Sequence, residues 1–280
     1  MCERLDKLSP NTAPHKAYVM FRYADPLTNE ALESMKQDGV ERAVAFSQYP
    51  MYSCTTTGSS LVELWKSLDE MKLRDKFKWS VIDRWNDHPT YISALAQRVR
   101  LGLAQIEESL RDQTLIVFSA HSLPQMVVAR GDQYQQEVCH TVQLVMRELQ
   151  YKNRYILSWQ SKVGYLPWLE PSTAAVIEHI APQNGVKSIL VVPVAFTSDH
   201  IETLYEIDIE YKELAHKSGI EHFKRAPSLN DEPLLIEAQA QIVAQHLSAG
   251  RAWASRQYEI KCQGCTNPYC RTVANPVSKP

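Results

Sequence analysis

Ser188-Ile-Leu-Val-Val-Pro-Val-Ala195 passes directly into Phe196-Thr-Ser-Asp-His-Ile-Glu202. The first eight residues are apolar almost without interruption. That is the pattern of a parallel strand covered by helices on both faces, whereas a half-solvated antiparallel strand would alternate. The polar residues that follow lead into a helical pattern over 200–217. A strand handing polar side chains from its carboxyl end to a helix is the repeating unit of open α/β sheets, and ligands bind beyond those carboxyl ends.

The unit recurs on both sides of this stretch. Residues 17–23, 43–48, 78–82, 114–119 and 155–160 read as strands, and most are continuously apolar. Helical periodicity covers 27–38, 59–71, 90–111, 133–150, 171–181, 200–217 and 232–248. Strand-helix alternation predicts a doubly wound α/β fold. The pattern starts afresh near Leu110-Arg-Asp-Gln113, which predicts two similar α/β halves. Four strand ends carry conspicuous polar groups: Gln48-Tyr-Pro50, Asp83-Arg-Trp85, Ser119-Ala-His-Ser122 and Thr197-Ser-Asp-His200. Neither a Gly-x-Gly-x-x-Gly loop nor a Walker A sequence accompanies them, which argues against a dinucleotide or ATP site.

Composition narrows the classes further. The chain has 280 residues, 44% of them apolar, and a net charge of −2, so neither nucleic-acid binding nor a polybasic membrane patch is indicated. No apolar run approaches the length of a membrane span. The opening Met-Cys-Glu-Arg-Leu-Asp-Lys-Leu is charged throughout and does not read as a signal peptide. Six cysteines in a chain this long do not suggest a disulfide framework, and a reducing compartment is the simpler expectation.

Half of those cysteines crowd the tail, in Cys262-Gln-Gly-Cys265-Thr-Asn-Pro-Tyr-Cys270. Gly264 and Asn267-Pro268 allow the backbone to wrap, so three thiolates can converge on zinc or on an iron–sulfur cluster. Either centre takes four ligands, and the fourth must be Cys2, Cys54 or Cys139.

Two other constellations carry chemistry. His121 sits at a strand end, where a neutral imidazole can act as a general base or simply close a turn. Asp199 is placed to cap the next helix, and Glu202, Glu206, Glu210 and Glu213 recur at four, four and three residues, which stacks them along one helical face beside His200. Such a row can pass on protons or a divalent cation, or it can be a solvated acidic face. Aromatic residues (Phe21, Tyr23, Tyr49, Tyr52, Trp85, Tyr165, Trp168 and Phe196) gather near the same strand ends, and Trp168 closes the turn Lys162-Val-Gly-Tyr-Leu-Pro-Trp168, as expected where a flat apolar ligand is lined.

Taken in order, several segments resemble the ferrochelatase family: Leu8-Ser-Pro-Asn-Thr-Ala-Pro-His15, Phe21-Arg-Tyr23, Gln48-Tyr-Pro50, Tyr52-Ser-Cys-Thr-Thr-Thr-Gly-Ser-Ser60, Ile82-Asp-Arg-Trp85, Phe118-Ser-Ala-His-Ser-Leu-Pro124, Gln160-Ser-Lys-Val-Gly164, Pro167-Trp-Leu169 and Phe196-Thr-Ser-Asp-His-Ile-Glu-Thr-Leu-Tyr-Glu206. The resemblance implies an enzyme that inserts ferrous iron into protoporphyrin IX, making protohaem in the last step of haem synthesis. It implies two Rossmann-like domains with parallel sheets, residues 1–112 and 113–255, the first incomplete, followed by a cluster-binding tail at 256–280. The porphyrin would lie in the cleft between the domains.

By the same resemblance His121 would accept pyrrole protons, and His200, Glu202 and Glu206 would form the acidic path, with His88 a further catalytic candidate. Trp168, Phe196, Tyr49 and Arg84 would contact the porphyrin. The tail is similar to that of animal members, so Cys54, Cys262, Cys265 and Cys270 would hold a 2Fe–2S cluster. A homodimer at the matrix face of the inner mitochondrial membrane is expected. The family's opening strand and its apolar lip have no counterpart in these residues, so the chain reads as N-terminally truncated. An inactive cluster-bearing or porphyrin-binding remnant and a zinc-stapled α/β binding protein are the competing expectations.

Overall fold

The computed structural model describes residues 1–255 and 266–277. It forms two compact units, residues 86–235 and residues 1–85 together with 236–280.

The 86–235 unit holds four parallel strands in the order β4-β3-β5-β6: β3 Leu115–His121, β4 Tyr155–Gln160, β5 Ser188–Pro193 and β6 His222–Arg225. Helical segments make each crossover, as parallel pairing requires. Helix α7 (Tyr134–Glu148) connects β3 to β4, and a mixed segment over Thr173–Gln183 connects β4 to β5. A π-helix at Glu202–Tyr211 running into α10 (Lys212–Lys217) connects β5 to β6. All six residues of β5 and the first six of β3 are buried, as expected for a sheet covered on both faces. One face packs Val117, Ile189 and Val191 against Ile177, Ile207, Tyr211 and Ala215.

Helix α4 (Pro89–Ala104) approaches this sheet closely. A Cβ added at Gly102 would stand 2.7 Å from Leu190 Cδ1 and 3.1 Å from the Ala226 backbone. Tyr91, on the same helix, donates its hydroxyl to the Val194 carbonyl at 3.3 Å.

In the other unit, β1 (Arg42–Phe46) and β2 (Lys78–Ile82) pair in parallel, from Arg42↔Lys78 to Phe46↔Ile82. Helices α2 (Thr28–Gln37) and α3 (Thr57–Glu70) contribute Leu32, Met35, Trp65 and Leu68 to a core around Phe77, Trp79 and Val81. Trp65 meets Trp79 edge-on at 5.5 Å between ring centroids. The free edge of β2 is stitched twice by the chain's last part. Val81 N–H donates to Ala252 and Trp79 N–H to Asn275, while Ala254 and Val277 donate back to the same two strand residues.

Three sequence expectations need revision. Residues 17–23 form no ladder strand; among the described residues only a single Phe21↔Leu27 bridge occurs there. Tyr18 and Met20 pack on the core while Val19, Phe21 and Tyr23 face outward, so the segment is a cover and the apolar run misread it. The short strand β6 was absent from the prediction because His-Phe-Lys-Arg is an edge, where polar residues replace the buried pattern. The compact units also divide after Trp85 and Leu235, whereas the reading from sequence placed boundaries after residues 112 and 255. The reason is packing: α4 lies on the second sheet, and residues from 236 onward return to the first unit, where Arg4 pairs with Glu237 at 2.6 Å and Gln239 bonds Gln48 at 2.8 Å.

Replacing Gly102 with Ala sets a helix-propensity gain of about 1 kcal/mol against an overpacking cost of about 1–3 kcal/mol. Because one of the crowded neighbours is backbone, the cost should win. A net loss of about 1 kcal/mol is expected in urea unfolding, and a stabilised variant would show that α4 can move away.

Candidate active site

The carboxyl ends of β3, β4 and β5 bring the site together within the 86–235 unit. His121 is the last residue of β3, and its Cα partner in β4 is Gln160. The Ser122 N–H donates to the Gln160 carbonyl at 2.8 Å. His121 Nδ1 lies 2.8 Å from the Ser122 carbonyl oxygen. A carbonyl only accepts, so Nδ1 carries the proton and the lone pair of a neutral ring is on Nε2. The ring is half-buried.

Gln160 is buried and fully engaged. Its Oε1 accepts from Ser119 Oγ at 2.6 Å, and its Nε2 donates to the Glu202 carbonyl at 3.1 Å and to Glu206 Oε2 at 3.0 Å. Glu206 also accepts from the Ser161 N–H at 2.9 Å, Ser161 Oγ at 2.5 Å and the Tyr211 hydroxyl at 2.7 Å. Ser161 has φ +64, in the left-handed region. That conformation costs a non-glycine residue about 1–2 kcal/mol. Each of the two bonds that Ser161 makes to the carboxylate contributes about 1.5–3 kcal/mol, so the grip outweighs the strain. Burial and the hydrogen bond to Glu206 raise the Tyr211 phenol well above its usual pKa, which keeps it a donor.

The predicted acidic row is therefore divided. A π-helix has wider i→i+5 turns than an α-helix, so spacings of four no longer keep every carboxylate on one face. Glu206 turns onto the end of β4, Glu202 is half-buried, and Glu210 and Glu213 face outward, the latter 3.8 Å from Lys217. Asp199 does not cap the helix backbone. It accepts from Thr203 Oγ1, Ser228 Oγ, Asn230 Nδ2 and Arg225 Nη1 at 2.7–3.1 Å. Burial opposes its charge, but the bonds from Asn230, Ser228 and Thr203 and the Arg225 charge hold its pKa below the usual carboxylate range. His200 is exposed, with Nε2 3.3 Å from Ser198 Oγ.

The 161–168 turn is tied beside the His121 loop. Pro124 and Trp168 form an antiparallel bridge, Gln125 N–H donates to the Pro167 carbonyl, and Leu169 N–H donates to Leu123. The indole N–H of half-buried Trp168 finds no partner among the described residues. Phe196 is half-buried just beyond β5; Val163, Tyr165 and Leu166 on the turn and Ile201, Leu204 and Tyr205 at the start of the π-helix expose apolar surface.

The remaining predicted residues stand on other elements. His88 starts α4, half-buried; burial lowers its pKa although Asp87 opposes the shift, and its Nδ1 has no partner among the described residues. Tyr49 and Arg84 stand at the carboxyl ends of β1 and β2 in the other unit. Tyr49 is exposed, while Arg84 is half-buried, stacked 4.7 Å from the Tyr52 ring centroid and paired with fully buried Asp83. Cys54 and Cys270 are half-buried in turns of that same unit; Cys262 and Cys265 lie outside the described residues. Among the described residues no three His, Cys, Asp or Glu side chains are grouped to hold a metal ion.

Reasoning from sequence missed Gln160, Ser161 and Tyr211 as parts of the site. The strand-end rule that selected His121 applies equally to Gln160-Ser161, and β4 was the strand end left out.

Comparison with known proteins agrees with this fold and spans the chain. The family model described as ferrochelatase matches residues 1–247. The mitochondrial ferrochelatase of Dictyostelium discoideum is 49% identical over 297 residues, covering 98% of this chain and 70% of that protein. The human mitochondrial ferrochelatase is 51% identical over 272 residues, covering 97% of this chain and 64% of that protein. The chain thus spans about two thirds of the length of these relatives. Among solved structures, SirB of Bacillus subtilis with Fe3+ superposes with a TM-score of 0.63 over 89% of this chain and 90% of SirB. At 12% identity that likeness concerns the fold alone.

Glu206→Gln would present an amide donor to a set of groups that all donate. A loss of about 1–3 kcal/mol in denaturant unfolding is expected, and parent-like stability would show that the four bonds do not form in solution.

Proposed function

The chain belongs to the ferrochelatase family, and from that premise we propose that it inserts ferrous iron into protoporphyrin IX to form protohaem, the last step of haem synthesis. The observation that carries the reading is His121, whose Nδ1–H bond to the Ser122 carbonyl leaves Nε2 to receive a proton beside the Gln160–Glu206 junction.

Metallation exchanges two pyrrole N–H protons for one Fe2+. His121 Nε2 takes a proton, the general-base role that its free lone pair allows once Nδ1–H is committed to the Ser122 carbonyl. Glu202 and His200, on the π-helix and its approach, receive protons or guide the hydrated cation, which carboxylates and imidazole both ligate. Glu206 has all four of its acceptor positions occupied by Gln160, Ser161 and Tyr211, so it holds the wall in shape and does not serve as the mobile relay. Trp168, Phe196 and the exposed apolar side chains of the turn and π-helix supply a surface for a flat macrocycle; Tyr49 and Arg84 keep the porphyrin-contact role that the family resemblance implies. His88 sits at a helix start with none of these bonds and ranks last.

A 2Fe–2S cluster fits the donors of the first unit. Cys54 and Cys270 are half-buried soft ligands carried on turns, and Cys262 and Cys265 complete the set in sequence. When bound, such a cluster supplies a one-electron centre and a staple for the tail. Mitochondrial location, a dimer of this chain and attachment to the matrix face of the inner membrane follow from the same family reading; no described helix is long and apolar enough to cross a membrane.

Anaerobic incubation with ferrous iron and protoporphyrin IX should give the haem spectrum. His121→Ala should lower that rate by about 100-fold or more, as for loss of a general base, while porphyrin quenching of tryptophan fluorescence persists; parent-like turnover would exclude His121 as the proton acceptor. Separately, Cys262→Ser should abolish red-brown absorption in protein prepared with iron and sulfide. A retained spectrum would remove that residue from the cluster.

A further inference from the structure

We propose that Tyr134 is a positioning residue for His121, its phenol replacing the strand bond that β5 cannot make. The proposal rests on His121 as the proton acceptor and adds how its ring is held. Along β3 every second carbonyl faces β5. The Ser119 carbonyl is satisfied there by the Val194 N–H at 3.1 Å. Pro193 ends β5, and the chain then turns away toward Phe196. The next carbonyl on that side is His121, and it receives the Tyr134 hydroxyl at 3.0 Å.

Tyr134 is well placed for this. It opens α7, where its N–H donates to buried Asp132 at 3.0 Å, and its ring packs 6.0 Å from Trp159. Burial raises the phenol pKa above its usual value, with the Asp132 charge adding to the shift, so the hydroxyl keeps its proton. The 121–122 peptide is thereby pinned at both ends: its C=O by Tyr134 and its N–H by the Gln160 carbonyl. The following carbonyl, of Ser122, is the acceptor that selects the Nδ1–H tautomer of His121. Releasing one end of the peptide loosens that carbonyl and leaves the proton less strictly on Nδ1.

Tyr134→Phe in the full chain removes the donor and keeps the ring. The readout is the imidazole 15N spectrum, with the His121 signals identified by their loss in His121→Asn. The parent should show a clear excess of the Nδ1–H tautomer, and Tyr134→Phe should reduce that excess by about fivefold, the scale of one hydrogen bond. The kcat for iron insertion should fall by a similar factor with the porphyrin KM unchanged. An unchanged tautomer ratio overturns the proposal whatever happens to turnover. Trp159→Phe loosens the same packing but keeps the phenol, and it should leave the ratio as in the parent; a shift as large as that of Tyr134→Phe would assign the effect to packing and overturn the proposal too. If turnover proves independent of His121 while the ratio still follows Tyr134, the reading of His121 as the base fails and the hold on its ring stands.

Discussion

The carboxylate of Glu206 closing on Gln160 and Ser161 is the contact on which the candidate site depends. It satisfies four donors at once and holds a serine in a left-handed conformation that would relax if the carboxylate were withdrawn. Through Gln160 it also joins the π-helix to β4, and through the β3–β4 register it reaches His121. Beneath it, the hydroxyls of Ser119, Thr173 and Ser158 continue the network into the sheet at 2.6–2.9 Å. A buried polar network of this kind is stable only when every member is satisfied, which ties the geometry of the site to the integrity of the sheet.

That coupling gives the carboxylates different work. The sequence pattern presents four equivalent glutamates, but their surroundings divide them: Glu206 is saturated and inward, Glu202 is half-buried with its carbonyl held by Gln160, and Glu210 and Glu213 belong to the solvated face. The π-helical turn is what allows the division, since it changes which side chains share a direction. The proposed metallation rests on this arrangement of an imidazole and a rigid carboxylate clamp, since the reacting nitrogens of a flat macrocycle must meet a base at fixed distance and its apolar faces need cover.

The first unit makes a complementary point about the tail. Residues 252–254 and 275–277 both bond to the same edge of β2, and the cysteine-rich stretch lies between these two attachments in sequence. Ser255 Oγ donates to Asp83, which pairs with Arg84. The described tail residues are therefore part of this unit's packing, with Ala274 fully buried in its core and Tyr269 and Val273 against it.

Sequence alone determined the α/β class, five of the six described strands and the seven longer helical segments, but not the short helices Cys2–Leu8 and Gln125–Ala129, because continuous apolar runs and helical periodicity are local properties set by which faces must be buried. It also selected His121, His200, Glu202 and Glu206, since the strand-end rule and the family motifs act on contiguous residues. Only the tertiary structure decided that Asp199 binds side chains and does not cap a helix, that α4 belongs with the second sheet, and that Gln160, Ser161, Tyr211 and Tyr134 build the site. Those assignments depend on groups 4 to 103 residues apart meeting within hydrogen-bond reach. Distances of that kind are set by strand register and crossover packing, which no local pattern in the chain encodes.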